Sequence, residues 1–283
     1  MTDRYAVFGN PIGHSKSPRI HALFAAQTGQ DISYQAILAE RDGFAAAVNA
    51  FIDAGEGLAR GANVTVPFKE EAFRLATRRT ARAEAAGAVN TLSFEAGAIV
   101  GDNTDGAGLV RDLKNNLGCD PAGRRILLLG AGGAARGVIL PLLLEGPTEL
   151  VIANRTEETA ARLALEFANS FARLPGCAVG VKPDGMGFQG LAGRQFDLVI
   201  NATSAGLSGD TLSLPACVFG PRCVAYEMVY GRETAFMAQA REARARVADG
   251  LGMLVEQAAE AFFIWRGVRP HTAPVLAALA KVS

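Results

Sequence analysis

Residues 125–135 read Arg125-Ile-Leu-Leu-Leu-Gly130-Ala-Gly132-Gly133-Ala-Ala135, and their order decides the fold. An apolar run the length of one buried strand passes directly into G-x-G-x-x-A and then into a helix-forming segment, Ala131 to Leu144. Each small residue answers a geometric need. Gly130 permits the tight turn, Gly132 lets the backbone approach a pyrophosphate, and Ala135 allows close packing of helix on strand, while N–H groups at the helix N-terminus face the phosphates. A bare glycine pattern lacks this strand-to-helix setting; here it reads as a dinucleotide-binding turn.

The same rhythm continues downstream. A strand over Glu149 to Ala153, a helix over Glu157 to Ala168 and a strand over Phe196 to Asn201 complete the βαβαβ series of a Rossmann-type fold. NAD sites usually carry an acidic residue at the end of the second strand, to bond the ribose. This strand ends Ile152-Ala153-Asn154-Arg155-Thr156, and Arg155 offers a charged, planar donor fork for a 2′-phosphate, so the expected cofactor is NADP.

Upstream, β-rich runs at Tyr5 to Phe8, Ser33 to Leu38 and Ala62 to Val66 alternate with helical stretches at Arg19 to Gln27 and Gly43 to Asp53. Two further runs, Ala88 to Phe94 and Ala98 to Gly101, flank Glu95-Ala96-Gly97, a hairpin signal, so this half is expected to hold a mixed sheet. The turn-rich Asp102-Asn-Thr-Asp-Gly106 leads into a predicted helix at 107–116. It marks a boundary between an N-terminal α/β domain, 1–104, and the nucleotide domain, 105–250. Leu251 to Trp265 and Thr272 to Leu279 read as helices that pack back on the first domain.

Bulk composition narrows the partners. The 283 residues carry 28 basic and 28 acidic side chains, so no global field draws the chain to nucleic acid or to an anionic membrane. A small molecule is the expected partner, with the protein a monomer or homodimer. The sequence shows no signal-peptide pattern and no apolar run of membrane-spanning length, which predicts a cytoplasmic protein. Cys119, Cys177, Cys217 and Cys223 lack zinc spacing and are expected to be free thiols, with no metal site.

Polar loops follow several strands. Residues 9–18, GNPIGHSKSP, set Ser15 and Ser17 on either side of Lys16; serine hydroxyls can grip a small carboxylate, or cap a helix. Residues 63–69, NVTVPFK, end in Lys69 at a predicted helix start. GAVNT at 87–91 and GDNTDGAG at 101–108 bring Asn90 and Asp105 near other strand ends, where open α/β folds place ligands.

Together with GAGGAARG, NRT, INATSAG and DGLGMLVEQAA, these segments resemble the shikimate dehydrogenase family along nearly the whole chain. The resemblance implies a first domain that binds substrate, completed by the C-terminal helices, and a Rossmann domain that binds NADP. It implies Ser15 and Ser17 on the shikimate carboxylate, with Thr65, Lys69, Asn90, Asp105, Tyr230 and Gln257 around the ring. On the cofactor side it implies Gly130, Ala131, Gly132, Gly133, Ala134, Asn154, Arg155, Thr156, Thr203, Ser204, Met228 and Gly250. Lys69 is the expected proton donor to the ketone oxygen and Asp105 its orienting partner. His14 is expected to shape the serine loop and His21 to pack or lie at the surface. Three departures bear on cofactor affinity and selectivity: Thr159 where many NADP-using members carry a second arginine, Ala81 where an acid is common, and no proline within Tyr230 to Phe236. Two rival readings are a quinate/shikimate dehydrogenase with relaxed substrate or NAD use, which Arg155 opposes, and a catalytically silent sensor of the same fold, which Lys69 and Asp105 oppose.

Overall fold

The structure, a computed structural model, describes residues 1–54, 57–171, 181–203, 205 and 211–280. They form two compact units, Met1–Gly108 with Val255–Ser283, and Leu109–Leu254. Among the described residues, no helix is long and apolar enough to cross a membrane.

The first unit contains β1 (Asp3–Gly9), α1 (Ser17–Thr28), β2 (Ile32–Leu38), α2 (Phe44–Asp53), β3 (Ala59–Val64), α3 (Lys69–Leu75), β4 (Arg78–Arg79), α4 (Ala81–Ala86), β5 (Thr91–Glu95) and β6 (Ala98–Asp102). Its sheet runs β2-β1-β3-β5-β6-β4. β1 is parallel to β2 and β3, whereas β5 is antiparallel to β3 and β6, so the sheet is mixed. Tyr5, Ala6, Val7 and Phe8 are all buried, as befits a central parallel strand covered on both faces. On one face Phe8, Phe44, Phe51 and Phe68 share a core, with the Phe44 and Phe68 rings stacked at 5.0 Å.

The C-terminal helices pack on this unit. Here α9 denotes Leu251–Arg266 and α10 denotes Ala273–Ala280. The Trp265 indole Nε1–H donates to the Leu92 carbonyl at 3.0 Å, and Arg266 pairs with Asp3. Gly61 has no side chain because the indole fills its place: a Cβ there would stand 2.4 Å from Trp265 Nε1.

The second unit follows α5 (Asp105–Arg111), whose continuation widens into a π-helical turn at Asp112–Asn116. Then come β7 (Arg125–Leu129), α6 (Gly133–Leu144), β8 (Glu149–Asn154), α7 (Glu157–Phe171), β9 (Asp184–Gly187), β10 (Phe196–Asn201), β11 (Phe219–Glu227), α8 (Ala235–Glu242) and β12 (Arg246–Ala248). The strand order β12-β11-β10-β7-β8-β9, wholly parallel, is the doubly wound nucleotide-binding arrangement.

Some boundaries differ from the sequence reading. β3 ends at Val64 rather than Val66, because the chain turns there toward Pro67: Phe68 N–H donates to the Thr65 carbonyl. β5 begins at Thr91 rather than Ala88, since Val89 N–H turns to the Lys69 carbonyl instead of a ladder partner. The helix predicted at 107–116 starts at Asp105. Cys119, Cys217 and Cys223 are free thiols, and Cys177 lies outside the described residues.

Candidate active site

Two loops meet beyond the ends of β1 and β3. Asn10 N–H donates to the Val66 carbonyl at 3.0 Å, and Thr65 N–H to the Phe8 carbonyl at 2.9 Å. Gly9 is required by this approach, because a Cβ there would stand 2.5 Å from Thr65 Cγ2. Ser15 is half-buried and Ser17 buried; the Ser17 N–H donates to Ser15 Oγ at 3.3 Å, which leaves the Ser15 O–H free to donate elsewhere. His14, in the same loop, is exposed.

Lys69 opens α3 and Asp105 opens α5, and the two side chains meet. Lys69 Nζ donates to Asp105 Oδ2 at 2.5 Å, with the lysine side chain 21% exposed and the aspartate 8%. Asn90 Nδ2 donates to the other carboxylate oxygen at 2.8 Å. Asn90 is held in turn, its Oδ1 accepting from Thr104 N–H at 2.8 Å and Thr91 Oγ1 at 3.0 Å. Gln257, from α9, brings Oε1 within 3.3 Å of Asn90 Nδ2. An ammonium has three donors, so after pairing with Asp105 two remain for a ligand oxygen.

Behind this pair stands a buried layer that the sequence reading did not single out. Tyr34 O–H donates to Asn63 Oδ1 at 2.7 Å, and Asn63 Nδ2 reaches the Asn90 carbonyl and Thr91 Oγ1, each at 3.2 Å. An asparagine between the apolar residues of β3 is itself a signal, since a buried amide must find partners. His21 stacks flat on Tyr34, with ring centroids 4.2 Å apart. Its exposure is 0%, so of the two expectations for His21 the structure gives packing, not surface. Neither ring nitrogen lies in hydrogen-bonding geometry with any described group. Burial holds the imidazole down to about 3, and the nearby Asn63 amide opposes that shift only in part. Burial likewise pushes the Tyr34 hydroxyl well above the ordinary phenol range.

In the second unit, Gly130 takes a φ of +103°, with Ala202 and Thr203 close against it. A Cβ at Gly132 or Gly133 would meet nothing within 4 Å, so open space fronts the turn, and no side chain caps α6. An uncapped helix N-terminus facing open space suits an anionic group. Just past β8, Arg155 is exposed and forms no ion pair among the described residues, and Asn154 Nδ2 donates to the Thr156 carbonyl at 3.1 Å.

One buried network ties the remaining strand ends together. Asn201 Oδ1 accepts from Thr203 N–H at 3.1 Å and Oγ1 at 2.7 Å, while Asn201 Nδ2 donates to Glu227 Oε2 at 2.7 Å. Glu227 also accepts from Thr234 Oγ1 and from Val229 N–H, and burial raises its pKa despite these donors. Met228 N–H donates to the Asn201 carbonyl at 3.0 Å. Gly250 admits no side chain, since a Cβ would stand 2.2 Å from the Met228 carbonyl oxygen. Asn201 and Glu227 were missed because their role is to hold neighbours rather than a ligand.

Comparison with known proteins gives these geometries a family. The shikimate dehydrogenase substrate binding domain matches residues 7–92, shikimate / quinate 5-dehydrogenase matches 112–177, and the shikimate 5′-dehydrogenase C-terminal domain matches 250–280. Shikimate dehydrogenase (NADP(+)) of Dechloromonas aromatica is 60% identical over 282 residues, covering 99% of this chain and 98% of that one. The chain belongs to the shikimate dehydrogenase family. The enzyme of the same name from Methylobacillus flagellatus is 57% identical, covering 98% of each chain. Among solved structures, an Ael1 enzyme from Pseudomonas putida superposes with TM-score 0.89 at 49% identity over 98% of each chain. Shikimate 5-dehydrogenase from Thermus thermophilus, in complex with NADP(H) and shikimate, superposes at 0.83 with 31% identity over the full length of both.

Of the residues that resemblance to the shikimate dehydrogenase family singles out, Ser15, Ser17, Thr65, Lys69, Asn90, Asp105 and Gln257 all belong to the first unit, and Lys69, Asn90, Asp105 and Gln257 form one hydrogen-bonded group. Tyr230 belongs to the second unit, with Gly130 to Ala134, Asn154 to Thr156, Thr203, Met228 and Gly250. Ser204 lies outside the described residues.

Proposed function

We propose that this chain is an NADP-dependent shikimate dehydrogenase of the cytoplasm, reversibly reducing 3-dehydroshikimate to shikimate on the route to chorismate and the aromatic amino acids. The observation that carries the reading is the Lys69–Asp105 pair, whose carboxylate is fixed from behind by Asn90. Reduction of a ketone adds hydride to carbon and a proton to oxygen, so a donor must stand within reach of that oxygen. Lys69 keeps two N–H donors beyond the one given to Asp105 and supplies the proton. Asp105 aims the ammonium and accepts from a neighbouring substrate hydroxyl. Ser15 and Ser17 hold the substrate carboxylate, and Thr65, Asn90, Tyr230 and Gln257 line its ring and hydroxyls.

The second unit fits the dinucleotide. The open space before Gly132 and Gly133 and the uncapped start of α6 suit a pyrophosphate, and exposed Arg155 suits a 2′-phosphate. Gly130, Ala131, Ala134, Asn154, Thr156, Thr203, Ser204, Met228 and Gly250 would complete the contacts. NADPH, when bound, supplies the hydride.

The test is steady-state kinetics of Lys69→Ala followed at the nicotinamide absorbance. A fall in kcat of roughly 10² to 10⁴ with little change in KM is expected, and near-normal turnover would remove Lys69 from the chemistry. Offering shikimate and quinate with NADP and NAD in turn separates the alternatives. Comparable kcat/KM on quinate would make it a quinate/shikimate dehydrogenase, and no turnover by the unaltered protein on any pair would make it a sensor.

A further inference from the structure

The far end of the second unit's sheet holds a cationic cavity lined by none of the residues assigned above to the substrate or the nucleotide. Its volume is about 540 Å³, and Arg124, Arg222, Arg244 and Arg246 line it together with a single carboxylate, Asp197, and the thiol of Cys119. That volume is in the range of small-molecule sites. Arg124 precedes β7, Asp197 is the second residue of β10 and Arg246 opens β12, so the cavity faces the N-terminal ends of the strands. The glycine turn and Met228 lie at the C-terminal ends, roughly 15–20 Å away at the usual rise per strand residue.

The backbone shows that these arginines are not incidental. Arg222 (φ +63°) and Arg244 (φ +61°) are the two non-glycine residues with positive φ among the described residues, and both line this cavity. Arg244 follows the end of α8, with Arg244 N–H bonded to the Arg241 carbonyl and Ala245 N–H to the Ala240 carbonyl, each at 2.9 Å. This is the helix-closing pattern whose left-handed position usually holds glycine. Arg222 comes directly after Pro221 in a bulge of β11, where pairing with β10 jumps from Phe196↔Phe219 to Leu198↔Val224. A positive φ right after proline is again a glycine position. Arginine at two such places strains the backbone twice and puts two like charges on one cavity, a combination that local structure does not require.

The other groups leave the cationic character in place. Arg124 Nε and Arg246 donate to backbone carbonyls, of Asp120 at 2.6 Å and Leu117 at 2.7 Å, which orients them without neutralising them. Asp197 already accepts from Arg125 N–H at 2.9 Å. Guanidinium forks match phosphate oxygens, and one carboxylate would answer only part of four charges.

We propose that this cavity is a binding site for a small phosphate-bearing metabolite, separate from the nucleotide site. A ligand there is held by none of the residues assigned to the reaction, so it acts as an effector or stabiliser. Inorganic pyrophosphate, titrated calorimetrically into the whole protein at low salt with NADP saturating, is the probe. One-to-one binding is expected, weakened at least tenfold in Arg222→Gly/Arg244→Gly and retained in Arg155→Ala. The glycine variant relaxes the backbone at both places, and its unchanged kcat with NADPH and dehydroshikimate establishes that it is folded. Equal affinity in the glycine variant, loss of binding in Arg155→Ala, or no binding by the unaltered protein at millimolar pyrophosphate would each overturn the proposal.

Discussion

His21 offers a direct test of how burial sets charge beside the candidate site. In the unfolded chain its imidazole titrates near the ordinary 6.5; folded, it is held down to about 3 by burial. The folded value is the lower of the two, so the stability that His21 contributes is fully present above pH 6.5 and drains away as pH falls toward 3. At pH 5 the unfolded chain takes up a proton that the folded ring refuses, a cost of about 2 kcal/mol, against roughly 0.2 kcal/mol at pH 7. His21→Phe keeps a flat ring against Tyr34 and removes the titration. Trp265 is the sole tryptophan, and its ring centroid lies 5.5 Å from that of His21, so urea unfolding followed by its fluorescence reports on this unit. The stability lost between pH 7 and pH 5 should be smaller in the variant by about 2 kcal/mol. Parallel losses in the two proteins would refute the reasoning, because they would mean that the buried ring accepts a proton as readily as an exposed one.

Ser15→Ala should raise KM for shikimate about tenfold with kcat nearly held, the effect of losing one hydrogen bond to a charged group that binds equally throughout the reaction; a pure kcat defect would contradict the assignment. Arg155→Ala should lower the ratio of kcat/KM for NADPH over NADH by roughly 10- to 100-fold, the usual worth of a charge-assisted contact. An unchanged ratio would mean that other groups hold the phosphate. Gly250→Ala drives a Cβ to 2.2 Å from the Met228 carbonyl, so thermal unfolding should show a loss of about 1–3 kcal/mol together with a raised KM for NADPH. A variant of normal stability and KM would show that the strand ends yield without cost.

The nucleotide fold was legible because its signal is local. β7, the glycine turn and α6 follow one another without a gap, and β10 appears at the predicted Phe196 to Asn201. β11 was hidden by its own bulge, since Gly220-Pro221-Arg222 reads as a turn although the chain resumes pairing at Val224. β9, four residues including two glycines, and β12, three residues long, carry too little apolar pattern to register. At the site, residue types were readable but their company was not. Nothing near Lys69 states that residue 105 lies beside it, and the Tyr34–Asn63–Asn90 layer joins three separate segments that meet only once the sheet has formed. His21 showed the same limit: the helical position was visible, the stack on Tyr34 was not.

The slot at Gly61 has a consequence for the order of synthesis. The indole that fills it arrives more than two hundred residues later, on a helix that also ties down Asp3 near the chain's start. A nascent chain has therefore made every strand of the nucleotide unit before the ribosome delivers the piece that finishes the first sheet. Until then, the earliest-made segment waits with an open groove along β3, and the last long helix closes it.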